Sequence, residues 1–326
     1  MYLRTLLLLL SHTLCVSLLA QTPLLPSAHG GNPNRTLNVV QPLNSSWLPK
    51  LEYAPDKISN RSLQVTPTTR NCLTIEVEES RKTTHVQSTE STEAFEQWME
   101  QTQSTQRRSR SIFRRGSQEV YSLPVVVHVV FSNEIENISD EQIYSQIEVL
   151  NQDYRRQNPD QSLTSRDFRN LAVDTGIEFC MATVDPDGNP TNGIDRISLG
   201  GSPFDENKIN QTVKPTTIWD PSRYFNIWVL NIADGILGFA QFPISSGLSG
   251  IPNLPTSNRT DGVVINYLTF GTKGTVSPPF DRGRTATHEI GHWLGLRHVW
   301  GDGACGVDDF CDDTPMTGEA NFACPT

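Results

Sequence analysis

His288, Glu289, His292 and His298 fall within one eleven-residue run, His-Glu-Ile-Gly-His-Trp-Leu-Gly-Leu-Arg-His. In a helix of 3.6 residues per turn, His288 and His292 project from one face, where two imidazoles can share a metal ion. Glu289 lies beside that face. Not needed as a ligand, it can take a proton from an activated water and pass it to a leaving group. His298, six residues beyond His292, cannot share that face, so the helix must end in between. Gly295 offers the means, because glycine adopts the left-handed conformation that stops a helix and turns the chain back. The chemistry that fits is hydrolysis at a three-histidine zinc centre, with Glu289 as general base. An ordinary helix matching by chance is the alternative. The glycine and third histidine at fixed offsets make it improbable, and three of the chain's seven histidines are here.

These residues need elements to position them. Arg284 to Leu296 is the active-site helix. Ser122 to Phe131 is a valine-rich run of the kind a buried strand makes. Ser139-Asp-Glu-Gln142 opens a helix with a capping box, and Ile143, Ile147, Leu150 and Tyr154 continue at helical spacing. Gly176 to Val184 reads as a second strand, closed by the turn Pro186-Asp-Gly-Asn189. Tyr224 to Ile232, Ile236 to Phe242 and Gly262 to Tyr267 are further strands. This order predicts an α/β (α+β) fold, a twisted mixed five-stranded sheet with backing and active-site helices. No internal repeat is present.

Upstream, Met1 to Ala20 reads as a secretory signal: Arg4 supplies the positive end, Leu6 to Leu10 begin an apolar core, and Ala20 precedes the cut. The competing reading is a retained signal anchor, but the run is short and interrupted by Ser11 and His12. Export to the outside of the cell follows, with no stable membrane association. Residues 21–116 are rich in Ser, Thr, Gln and Asn and poor in aliphatics, which suits a pro-segment; the basic stretch 107–115 ends it as a cleavable linker. Residues 117–326 are long enough to bury one core and form the catalytic portion. The formal charge of −10 argues against a nucleic-acid partner, since phosphate binding needs clustered Lys and Arg. Protein or peptide substrates are the expected partners, and nothing in the sequence sets the oligomeric state.

The pattern H-E-x-x-H-x-x-G-x-x-H is that of the metzincins. Around it, Leu123-Pro-Val-Val-Val-His-Val-Val130, Asp174-Thr-Gly-Ile-Glu-Phe-Cys180, Phe225-Asn-Ile-Trp-Val229, Gly238-Phe-Ala-Gln-Phe-Pro243, Asp261-Gly-Val-Val-Ile265, His298-Val-Trp-Gly-Asp302 and Asp308-Asp-Phe-Cys-Asp-Asp-Thr-Pro315 occur in order. Together they closely resemble the pappalysin family of zinc metallopeptidases, with its secreted ulilysin-like members. The resemblance runs from about Leu123 to the last residue. It implies a metzincin-type catalytic domain and a secreted, zymogenic metalloendopeptidase acting on protein substrates. It also implies that the strand Ile236 to Phe242 is the edge that pairs with extended substrate, through Ile236, Gly238 and Ala240. One feature departs from it. A metzincin carries a Met-turn beneath the zinc, whereas Met316 stands too close to the helix in an unsuitable Thr-Pro-Met-Thr setting. The chain is therefore read as a fragment with a truncated C-terminal subdomain; the rival function is a zinc-binding but inactive fragment or binding protein.

Six cysteines are present, of which Cys15 leaves with the signal. Cys72, in Arg70-Asn-Cys-Leu-Thr74, resembles the short cysteine motif of pappalysin pro-segments, where a thiolate can fill the zinc position needed by water and keep the precursor silent. Leu73 stands where the family has glycine, which leaves a thiol without that role as the alternative. Cys180, Cys305, Cys311 and Cys324 are disulfide candidates in an exported protein, with three connectivities among four. The resemblance implies that Cys305 and Cys324 pair with cysteines beyond residue 326, leaving Cys180 and Cys311 to each other. The acidic cluster Asp308, Asp309, Asp312 and Asp313 with Thr314 offers hard oxygen ligands suited to calcium. The resemblance points to Asp309, Asp312 and Thr314; a solvated acidic loop is the alternative.

Overall fold

The valine-rich run forms an interior strand of the sheet in the computed structural model, which describes residues 72–84, 97–99, 101, 120–242, 259–303, 305–311, 313–315 and 317–320. The signal sequence, the basic linker, Asp312 and Cys324 lie outside the described residues. The elements in chain order are α1 (Thr74–Thr84), β1 (Tyr121–Phe131), α2 (Asp140–Tyr154), β2 (Ile177–Met181), β3 (Ile194–Ser198), β4 (Phe225–Leu230), β5 (Gly238–Ala240), β6 (Val263–Asn266) and α3 (Arg284–Trp293). Short helical turns at Glu206–Lys208, Ile209–Val213 and Lys214–Thr217 precede β4. No helix among the described residues is long and apolar enough to cross a membrane.

The sheet order is β2-β1-β4-β6-β5, with β3 also on β1. All pairings are parallel except β5 with β6. The sheet has six strands, not the expected five, because β2 and β3 share one edge of β1 end to end: β2 pairs with Tyr121–Val125 and β3 with Val127–Phe131. The strand Ile-Asp-Arg-Ile-Ser hides from pattern reading because Asp195 and Arg196 give it a charged, loop-like face. Asp195 is in fact turned to the fully buried His128, with Oδ2 2.9 Å from Nδ1, while His128 Nε2 lies 2.9 Å from Asn226 Oδ1. Parallel strands buried on both faces read as continuous apolar runs, as β1 and β4 do.

Ser139 caps α2 as the capping box predicts, its side chain accepting from the Gln142 amide. One face of α2 then brings Ile143, Ile147, Leu150 and Tyr154 into a core with Val125, Val127, Ile227, Val263 and Ile265. Ala286, Ile290 and Leu294 add the buried stripe of α3 to the same core. Full burial of a large apolar side chain such as Ile290 contributes roughly 1.5–3 kcal/mol. Polar ties then set the position of α3. Arg284 pairs with Asp153 at 3.0 Å and Asp160 at 2.8 Å, and the Thr287 hydroxyl donates to Asp153 at 2.7 Å. At the far end, Trp293 Nε1 donates to Asp261 at 2.7 Å. The apolar side of α3 is thus fixed to sheet and backing helix, and its His288/His292 face is turned to β5 and α1.

Candidate active site

The turn after α3 brings the third histidine home. Leu294 closes the helix, Gly295 takes φ 93°, its amide donates to His292 O at 2.8 Å, and the Leu296 amide donates to Gly291 O at 2.9 Å. This paired bonding is the Schellman motif, which a glycine in the left-handed region makes without strain. It also turns the Leu296 carbonyl onto His292, whose Nδ1 donates to it at 2.8 Å. His298 Nδ1 donates to Asp302 Oδ1 at 2.5 Å, and its ring stacks on Trp300 at 4.2 Å. Sequence reasoning overlooked the Leu296 carbonyl and Asp302 as orienting partners; the pattern His298-x-x-x-Asp302 was the available signal.

With Nδ1 of His292 and His298 protonated, their Nε2 atoms can only accept. Yet the Nε2 atoms of His288, His292 and His298 stand 3.0, 3.2 and 3.2 Å apart, with no proton available between the last two. Three ring nitrogens converging this closely are placed to share one cation. Ligands at roughly 2.0–2.1 Å in tetrahedral geometry would be separated by roughly 3.3 Å, so the triangle fits zinc. Cys72 completes the donor set: its sulfur and the three imidazole nitrogens all lie within 4.8 Å of one another. Three imidazoles and a thiol are a borderline-soft set that suits zinc and disfavours calcium or magnesium.

Glu289 is 1% exposed and projects from α3 toward β5. Gly238 permits this approach: a Cβ there would come 3.0 Å from Glu289 Cγ and 2.8 Å from the Val264 carbonyl. Burial, followed by the charge of Glu289, pushes the Cys72 thiol well up from its ordinary range. Only a cation among the histidines would reverse that preference in favour of thiolate.

Gly238 and Ala240 turn their backbone groups outward from β5, and residues 72–74 occupy them. The Leu73 amide donates to Gly238 O at 3.2 Å, Cys72 makes a parallel bridge to Gly238, and the Ala240 amide donates to Thr74 Oγ1 at 2.9 Å. Ile236 does not belong with them, because it precedes β5 and its carbonyl accepts from Asn266 Nδ2. A cavity of about 190 Å³ lined by Leu237, Phe280, Thr285 and His288 opens on one side of Cys72 and Glu289.

The other predicted residues are elsewhere. Asp309 is 5% exposed, with Oδ1 accepting the Cys311 amide at 3.0 Å and Oδ2 the Thr314 hydroxyl at 2.7 Å. Cys180 is disulfide-bonded, whereas Cys305 and Cys311 carry thiols. The pairing of Cys180 with Cys311 implied by the resemblance is thus not the one formed.

The fold and this site have the arrangement of the metzincin class, in which three histidines converge on one metal position beside a glutamate. The family model described as pregnancy-associated plasma protein-A matches residues 207–325. Mature mirolysin of Tannerella forsythia, solved in complex with a cleaved peptide, is 48% identical, with 65% of this chain and 77% of that chain covered and a TM-score of 0.59. A promirolysin mutant from the same organism is 40% identical, covering 79% and 80% of the two chains with a TM-score of 0.61. An extracellular metalloprotease of Arthroderma gypseum is 29% identical over 202 residues, 61% of this chain and 56% of that protein. The chain spans about half the length of such curated relatives. It belongs to the pappalysin family of metzincin metallopeptidases.

Proposed function

We propose that this protein is a secreted, zymogenic zinc endopeptidase that hydrolyses peptide bonds in protein substrates. The convergence of three imidazole Nε2 atoms next to a buried glutamate carries the reading. Zinc held by His288, His292 and His298 would supply Lewis acidity for water and scissile carbonyl alike. Glu289 accepts the proton of the attacking water and hands it to the departing amine. Gly238 O and Ala240 N hold an extended peptide by main-chain hydrogen bonds, the same groups that residues 73 and 74 take in the precursor. The relatives named extracellular metalloproteases agree with the leader-like Met1 to Ala20 in placing the protein outside the cell.

In this reading residues 1–20 are the export signal, 21–116 the pro-segment and 117–326 the catalytic portion. Cys72 would be the fourth zinc ligand of the silent precursor, displaced when the linker at 107–115 is cut. Calcium at Asp309, Asp312 and Thr314 is a further, separate part of the proposal. Zinc removal tests the core of it. Dialysis of the activated protein against a zinc chelator should abolish casein cleavage, and one equivalent of zinc should restore it. Full cleavage by the metal-free protein would overturn the proposal.

A further inference from the structure

The latent state holds a contact that zinc ligation by Cys72 does not require. Thr74 is fully buried, and its hydroxyl donates to Glu289 Oε2 at 2.9 Å. Thr74 Oγ1 in turn accepts from the Ala240 amide at 2.9 Å and from the Cys72 thiol at 3.4 Å. A hydroxyl has one donor and two lone pairs, so its single donor is committed to Glu289 and one lone pair to the edge strand whether or not the Cys72 sulfur keeps its proton. Glu289 must meet a water in order to act, and Thr74 presents an O–H to it instead. Nor can the hydroxyl swing away. Leu73 is tied to Gly238, and one turn further on Val77 is buried in the core that contains Phe239 and Val264.

We propose that Thr74 is a second point of latency, its hydroxyl standing in for the attacking water and tying the general base to the edge strand. The inference rests on the peptidase reading and deepens it: metal and base are blocked separately, two residues apart in sequence. Losing Cys72 from the metal leaves the base engaged, since the bonds of Thr74 to Glu289 and to the Ala240 amide do not involve the sulfur. Release of latency therefore requires departure of the start of α1, as cutting the linker allows, and not merely exchange of the thiol.

The test uses the full-length precursor with its linker arginines 107, 108, 110, 114 and 115 changed to alanine to prevent cutting. Thr74→Val keeps the side chain's shape and removes the hydroxyl; Thr74→Ser keeps the hydroxyl. Residual hydrolysis of a short fluorogenic peptide should rise about ten-fold with Thr74→Val in both the Cys72 and Cys72→Ala backgrounds, the effect of losing a hydrogen bond to a charged group. Thr74→Ser should remain near the parent. The second readout is the thermal midpoint. Thr74→Val should lower it by about a few degrees with Glu289 present and have no effect, or the reverse effect, in Glu289→Ala, where the donor has lost its acceptor. Equal lowering in both backgrounds would overturn the proposal, as would unchanged hydrolysis with Thr74→Val in a precursor whose cut form is active. If the cut form were inactive too, the peptidase reading would fail, and the midpoint comparison would still decide whether Thr74 clasps Glu289.

Discussion

The histidine site and the acidic loop both gather side chains that metals favour, but they use them differently. At the histidine site, α3 and its closing turn aim three Nε2 atoms at one point, while Leu296 and Asp302 hold the Nδ1 side of two rings. In the acidic loop, Asp308 accepts the Phe310 amide, and Asp309 accepts the Cys311 amide and the Thr314 hydroxyl. There the carboxylates hold their own loop in shape. Ligand type alone makes a site conceivable; a rigid element with orienting partners makes it preorganised. Zinc binding should therefore be tight and sensitive to those partners, whereas any calcium bound by the loop should act mainly on stability.

Of the partners that separate the two regions, an orienting group at the histidine site should give the largest effect when broken. Asp302→Asn leaves all three ligands in place but weakens the acceptor for His298 Nδ1. Zinc affinity, measured by competition with a chromophoric chelator, should fall about 10–100-fold. Affinity unchanged by this substitution would mean that the ring is held by its stacking on Trp300.

A smaller effect should sharpen the loop side of the comparison. If Asp309, Asp312 and Thr314 bind calcium, millimolar calcium should raise the thermal midpoint by about a few degrees, because a ligand selective for the native state stabilises it. Zinc content should not change. Asp309→Asn should remove the response, and a wild-type midpoint flat across calcium concentrations would leave only a self-bonded loop.

The scaffold behind α3 should give the smallest effect, through pH. Burial raises the Asp153 carboxyl above its ordinary value, against the lowering influence of the Thr287 hydroxyl and of Arg284. Because the folded value lies above the unfolded one, the native state binds the extra proton. This stabilisation is complete below the unfolded pKa and is lost as pH rises through the folded one. The difference in midpoint between wild type and Asp153→Asn should accordingly shift against wild type from pH 4 toward neutrality. A constant difference would mean that the ion pair with Arg284 offsets burial completely.

The histidine site was legible because its chemistry is local: ligand spacing, helix period and a stopping glycine lie within eleven residues. The β1 run and the capped α2 could be read for the same reason. What stayed hidden depends on long-range contact. Strand β3 forms by pairing with β1 in a register that sets Asp195 beside His128, 67 residues earlier. The Thr74–Glu289 bond spans 215 residues, and nothing in Asn-Cys-Leu-Thr marks that threonine. The Cys180–Cys311 pairing, which came from the resemblance alone, failed similarly, since likeness to a family does not determine which thiols meet in this chain. Ile236 was placed on the edge because its apolar run continues into β5, while its carbonyl is used by Asn266 before the strand begins.

The central claim is that one residue run contains a metal cage and a base that can be separated. The most direct measurement compares activated wild type with activated Glu289→Ala for zinc content and casein cleavage in the same preparation. The account expects one zinc per chain in both and a fall in cleavage of about several orders of magnitude in the variant. Zinc bound normally with cleavage retained would contradict the assignment of Glu289 as the base.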